Sequence, residues 1–203
     1  MPSFDPGAAS IVDFYRLLIG CVIPRPIAFV STLSVDGVPN LAPFSFFTVA
    51  SANPPVVCFA PQVPGRGLRQ KKDTLRNVED TGEFVVNIVS EDFAAQMNLC
   101  SGDYPPEVDE FAISGLTPVA SESVRPARVG ESRVQMECKL REIIRVSDAP
   151  LGGSLVMGNV LRMHVAEEVL RAGAVDPDLL RAIGRMGGSS YTRTQDRFDM
   201  KRP

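Results

Sequence analysis

Proline and glycine punctuation constrains this chain more than any other feature: 17 Pro and 16 Gly in 203 residues cut it into short apolar runs. Strands do not alternate with long crossover helices, as a doubly wound parallel sheet would require. The runs instead have the length and the β-branched or aromatic content of strands. Such strands are expected over Ile27 to Thr32, Pro39 to Ala50, Val56 to Ala60 and Phe84 to Val89, followed by two long ones, Arg133 to Val146 and Ser154 to Ala166. Asp36-Gly37 supplies a hairpin turn, and Asn53-Pro54-Pro55 turns the chain again. Helices are expected to be short. One opens at Ser10, with Asp13 in a capping arrangement, and runs to about Leu18. Others span Thr74 to Asp80, between an Asp73 N-cap and Gly82, then Glu91 to Leu99, and Asp178 to Ile183 after Asp176-Pro177. This order fits a closed or partly closed antiparallel barrel with short peripheral helices. No repeat or domain boundary interrupts it, so a single domain over 1–203 is expected, with irregular tails at 1–9 and 189–203.

Composition removes several function classes. Lys+Arg is 21 against Asp+Glu 24, a net charge of −3, so no global basic field exists to hold nucleic acid. A single histidine, His164, excludes multi-histidine zinc and His₂-carboxylate iron sites, and no metal is expected. His164 itself, late in an alternating strand, reads as a structural histidine rather than a general acid. Cys21, Cys58, Cys100 and Cys138 form no CxxC pair. With no leader-like start, they read as buried free thiols in a reducing cytoplasm. The apolar stretch Leu17 to Val30 is broken by Pro24-Arg25-Pro26 and is too short to span a bilayer, so no membrane association is expected. There is no P-loop. The nearest approach to a dinucleotide fingerprint, Gly65-Arg66-Gly67-Leu68-Arg69-Gln70, lacks its last glycine and follows Pro64 in a loop.

Three stretches carry candidate chemistry. Arg66, Arg69, Lys71, Lys72 and Arg76 against Asp73 give a local balance of +4 beside a helix N-terminus. Lys71, Lys72 and Thr74 would make a phosphomonoester clamp there, or the run is a solvated basic loop. In the first hairpin, Ser31 and Thr32 face Asn40, Ala42, Pro43 and Ser45. A proline inside a strand implies an edge or bulge, whose unpaired groups could meet a flat polar ring; the alternative is a polar outer face. Finally, Arg185-Met186-Gly187-Gly188-Ser189-Ser190-Tyr191 combines backbone freedom with an aromatic that stacks on a ring or lies on a surface loop.

These stretches, with Ile23-Pro24-Arg25-Pro26, Asn40-Leu41-Ala42-Pro43-Phe44-Ser45, Lys72-Asp73-Thr74-Leu75-Arg76-Asn77, Phe84-Val85-Val86-Asn87, Glu137-Cys138, Gly158-Asn159-Val160, Val175-Asp176-Pro177-Asp178 and Arg185-Met186-Gly187-Gly188, occur in an order that resembles the flavin reductase-like, FMN-binding split-barrel family, its long-chain members in particular. The resemblance runs from about residue 10 to 200. It implies a six-stranded antiparallel Greek-key barrel that forms a homodimer and binds FMN, FAD being a further candidate, near the subunit interface. By position it implies Ser31 and Thr32 as phosphate or ribityl contacts, Lys71, Lys72 and Thr74 as phosphate contacts, and Asn40, Ala42, Pro43 and Ser45 as the wall against the isoalloxazine. The implied activity is NAD(P)H-dependent reduction of flavin or of a small acceptor, with a monooxygenase as a candidate partner and with no side chain required as a catalyst. Short-chain members often carry a Gly-Asp-His segment associated with nicotinamide handling. The matching stretch here, Leu151 to Val160, has no His, as in many long-chain members. A flavin carrier or electron-transfer module without NAD(P)H turnover is therefore the alternative reading. A groove for another aromatic phosphate, such as a pyridoxal-type ligand, is a third.

Overall fold

The computed structural model describes residues 1–63 and 71–202. Pro64, Gly65, Arg66, Gly67 and Arg69, which enter the expected loop and basic cluster, lie outside the described residues. The elements in chain order are α1 (Ile11–Cys21), β1 (Ala28–Leu33), β2 (Pro39–Phe44), β3 (Phe47–Ala52), β4 (Pro55–Phe59), α2 (Asp73–Thr81), β5 (Glu83–Ile88), α3 (Ala94–Leu99), α4 (Glu110–Ser114), β6 (Pro118–Val119), β7 (Arg128–Val129), β8 (Val134–Arg145), β9 (Ser154–Val165), β10 (Leu170–Arg171), β11 (Ala174–Val175), α5 (Pro177–Leu180), β12 (Ile183–Arg185) and β13 (Tyr191–Arg193).

Seven strands form one antiparallel sheet in the order β2-β1-β5-β8-β9-β4-β3. The two edges, β2 and β3, are consecutive in the chain and separated only by Ser45 and Phe46. Two residues reach roughly 10 Å at most, so the sheet has to curl until its edges meet. Counted as one broken strand, β2 and β3 make this a six-stranded barrel. The single strand expected from Pro39 to Ala50 is thus corrected: it is divided at the seam where the barrel closes.

Hydrophobic burial is arranged in two layers on either side of the β1–β2 hairpin. Strand alternation sends Ala28 and Val30 inward with Phe44, Val57, Phe59, Phe84, Val86 and Cys138, and α2 closes this interior with Leu75 and Val78. Ile27, Phe29 and Leu41 point outward and are covered by Phe93, Met97 and Phe111 from the α3–α4 region. Gly158 on β9 has a packing reason: a Cβ there would lie 2.3 Å from Phe84 Cζ, and Phe84 is fully buried. Gly158→Ala should therefore destabilise the barrel by about 1–3 kcal/mol, the usual cost of overpacking. Urea unfolding would register this as a lower midpoint, whereas an unchanged midpoint would mean that Phe84 can move aside.

Several local expectations are met and several are corrected. Ser10 N-caps α1, accepting the Asp13 N–H, and the helix continues to Cys21 rather than Leu18. Gly82 ends α2 in the left-handed conformation, φ +71°. The N-cap of α2 is Lys72, however, and Asp73 is its first helical residue, engaged with Arg76. The expected Glu91–Leu99 helix opens as a 3₁₀ turn over Glu91–Phe93 before α3. The last helix stops at Leu180 because Arg181 turns left-handed, φ +50°, and Ile183 enters β12. Within the 189–203 tail, Tyr191–Arg193 pairs with Ile183–Arg185 as a strand. The expected burial of all four thiols is corrected at Cys21, which is exposed; Cys58, Cys100 and Cys138 are buried. Among the described residues, no helix is long and apolar enough to cross a membrane.

Candidate functional site

A groove follows the free edge of β2. One end is lined by Asn40, Lys71, Lys72 and Thr74, and its walls are Ala42 and Pro43 on one side and Ser101 to Tyr104 on the other. It continues past Pro43 and Ser101 to Ile27, Ser45, Met97, Arg185 and Tyr191. The edge is open because β2 pairs only with β1. Leu41 donates its N–H to Glu110 Oε2 at 3.0 Å, away from β1. Two residues on, Pro43 has the same orientation, so its missing N–H costs the ladder nothing.

The basic end is built on a helix start. The Lys72 side chain makes no capping hydrogen bond, and the positive end of the α2 dipole lies beside the groove with Lys71, Lys72 and Thr74. Asn40 Nδ2 donates to Thr74 Oγ1 at 2.9 Å and to Thr32 Oγ1 at 3.1 Å, and Asn77 Nδ2 donates to the same Thr32 oxygen at 3.1 Å. This buried net fixes Thr74 as an acceptor toward Asn40 and leaves its O–H hydrogen for a second partner. Thr32 thereby supports the groove from beneath rather than lining it. Lys71 lines the groove with its ammonium paired to Glu79, so Lys72 carries the greater share of positive potential at this end.

Ser31 is not brought to the groove. It lies on the opposite face of β1 from Thr32, fully buried, donating to the Ala127 carbonyl. Neighbouring residues of one strand cannot both face the same side.

At the other end, Ser45 Oγ accepts from Arg25 Nε at 3.3 Å. The same guanidinium reaches the carbonyls of Ile19 and Val22, both at 2.7 Å, and of Met186 at 2.9 Å. Arg25, 5% exposed, thus ties α1, the barrel seam and the end of β12 together; burial holds its pKa below the ordinary arginine value. The Tyr191 hydroxyl donates to Asn98 Oδ1 at 3.3 Å, and the Arg185 guanidinium lies 4.5 Å from its ring centre.

Residues that sequence reasoning did not single out also shape the site. Glu110 is 7% exposed and lines the groove beside Leu41. Burial raises its pKa, reinforced by Asp73 and Asp109, against the Leu41 hydrogen bond. Cys100 lines the same wall, and burial pushes its thiol up to about 11, so it is not a ready nucleophile. The only local hint of Glu110 is its place after Asp109, which caps α4.

His164 lies apart from these lining residues, with Nε2 2.6 Å from Oε1 of the fully buried Glu137. Sequence places no carboxylate beside it; the β8–β9 pairing does. Burial alone would raise the Glu137 carboxyl, but the Glu122 N–H, His164 and the Ser123 N–H outweigh it and hold it below the usual range. A depressed carboxylate stabilises the fold above its unfolded pKa, about 4.3, and the contribution disappears as pH falls through the folded value. The stability difference between wild type and Glu137→Gln should therefore be full at neutral pH and shrink below about pH 4; a gap that persists unchanged in acid would contradict this. His164→Ala removes the ring partner of the buried Glu137 and should lower Tm; an unchanged Tm would overturn the structural reading.

The donor set fits an elongated ligand with an anionic tip and a flat polar body. A cationic helix start, a buried hydroxyl–amide net and an open strand edge succeed one another along one groove. Comparison with known proteins identifies the family and the fold. Residues 19–186 match the flavin reductase like domain, and the chain belongs to this family. Among solved structures it is similar to nitrilotriacetate monooxygenase component B from Bacillus cereus, with a TM-score of 0.92 and 36% identity over 98% of each chain. It is also similar to the 2-nitrobenzoate 2-nitroreductase NbaA of Pseudomonas fluorescens, with a TM-score of 0.87 and 32% identity over 100% of this chain and 96% of that one. A split-barrel-domain protein from Shewanella frigidimarina NCIMB 400, 21% identical over the full length of both chains, shares the fold with a TM-score of 0.83.

Proposed function

We propose that the chain binds FMN in the β2 groove and acts as an NAD(P)H-dependent oxidoreductase that reduces flavin or a small acceptor. The observation that carries this reading is the joining of an uncapped, lysine-flanked helix start to an open strand edge. Lys72, Thr74 and the first-turn N–H groups of α2 would hold the phosphate, with Lys71 adding charge. Ala42, Pro43 and Ser45 would flank the ring, and Tyr191 would border its far end. Bound there, FMN would supply the hydride and electron-transfer chemistry. The protein's part is to orient the ring, limit water on one face and set the charge around it.

Partner chemistry belongs to the same proposal. Helix α1 buries none of its residues, and Leu18 and Val22 continue into an apolar patch with Phe46 and Phe47. This supports pairing with a second copy as a homodimer. The likeness to a monooxygenase component supports hand-over of reduced flavin to a separate oxygenase. A carrier without NAD(P)H turnover is the second reading, favoured by the absence of histidine from Leu151 to Val160. Steady-state NAD(P)H oxidation with added FMN separates the two. Turnover well above that of free flavin is expected, and its absence with FMN bound would leave the carrier.

A further inference from the structure

The middle of the groove holds a feature that neither a phosphate nor a ring explains. Glu110 reaches across from α4 to the edge of β2 and is more than nine-tenths buried, yet it forms part of the groove wall. Its Oε2 is committed to the Leu41 N–H, between Asn40 at the basic end and Ala42 at the start of the ring wall. Asp103 lines the groove as well, whereas Asp73 stands at the start of α2 paired with Arg76, so the groove has a cationic end and the carboxylates of Glu110 and Asp103 in its wall. An acidic wall repels a second anion and accepts hydrogen bonds from neutral hydroxyl groups, to which a carboxylate is a stronger acceptor than an amide.

We propose that Glu110 is a positioning residue for the polyol chain of the ligand: its carboxylate, anchored on the edge of β2, accepts hydrogen bonds from hydroxyls between the phosphate and the ring. This rests on the FMN reading of the groove and extends it to a region to which that reading assigns no contact. It makes the site selective for a flavin bearing a ribityl chain over the bare ring.

The test titrates three flavins, FMN, riboflavin and lumiflavin, which lacks the ribityl chain, into wild type and into Glu110→Gln. The Gln carbonyl can still accept the Leu41 N–H, so the wall keeps its anchor. Glu110→Gln is expected to weaken FMN and riboflavin by about tenfold, the scale of one hydrogen bond to a charged group, and to leave lumiflavin unchanged. Equal weakening of all three would mean a structural role, and no weakening would mean no contact; either overturns the proposal. Should Glu110→Gln fail to fold, the wild-type protein alone decides, because riboflavin must then bind more tightly than lumiflavin, and equal affinities overturn the inference. If wild type binds none of the three flavins, the FMN reading itself has failed.

Discussion

Replacing Lys72 and Thr74 together by alanine is expected to weaken FMN binding by about 2–4 kcal/mol, on the order of two charge-assisted hydrogen bonds. That is roughly 30- to 700-fold in Kd, while riboflavin, which has no phosphate, should bind almost as before. The asymmetry follows from position. Both side chains stand at the start of α2, and the walls farther along the groove, Pro43, Ser101 and Tyr191, are untouched. Thr74 accepts from Asn40, but Asn40 keeps its bond to Thr32, so the buried net loses one member without collapsing. Isothermal titration with the two flavins reads the difference directly. Equal weakening of both would remove the phosphate from this end of the groove.

Arg25→Ala should act in the opposite pattern. Its guanidinium donates to three backbone carbonyls and to Ser45 at the junction of α1, the barrel seam and β12. Removing it strands those acceptors in a partly buried place and should cost about 2–4 kcal/mol of stability. Ser45 lines the end of the groove where the proposed ring would lie, so FMN and riboflavin should lose affinity together. Arg25→Lys should recover little, because an ammonium cannot span the fork of acceptors that a guanidinium serves. Thermal unfolding and flavin titration of both variants check this, and a Lys variant indistinguishable from wild type would contradict it.

Much of this architecture is legible in the sequence where the signal is local. Ser10 with Asp13, Gly82 after α2, and the paired stretches around Leu151 to Gly153 each announce an element through chemistry confined to a few residues. The seam at Ser45-Phe46 is not legible, because every residue from Pro39 to Ala50 tolerates extended backbone and only sheet closure decides where the strand breaks. The candidate site divides in the same way. The charge cluster at Lys71 and Lys72 and the proline on an edge strand point to the groove from sequence alone. The place of Ser31 is not given by its hydroxyl, because strand alternation sends Thr32 and Ser31 to opposite faces of β1. The role of Glu110 at the β2 edge and the pairing of Glu137 with His164 depend on contacts across 69 and 27 residues, respectively; the Asp109 cap beside Glu110 marks a helix start but not its partner.

If the β2 groove holds FMN by its phosphate and its ring together, an equilibrium titration of the purified, flavin-free chain with FMN, followed by the visible absorption of the flavin, tests it most directly. Saturable binding at one FMN per chain, tighter than for riboflavin, is the predicted result. A chain that leaves the FMN spectrum unchanged at every concentration would contradict the account.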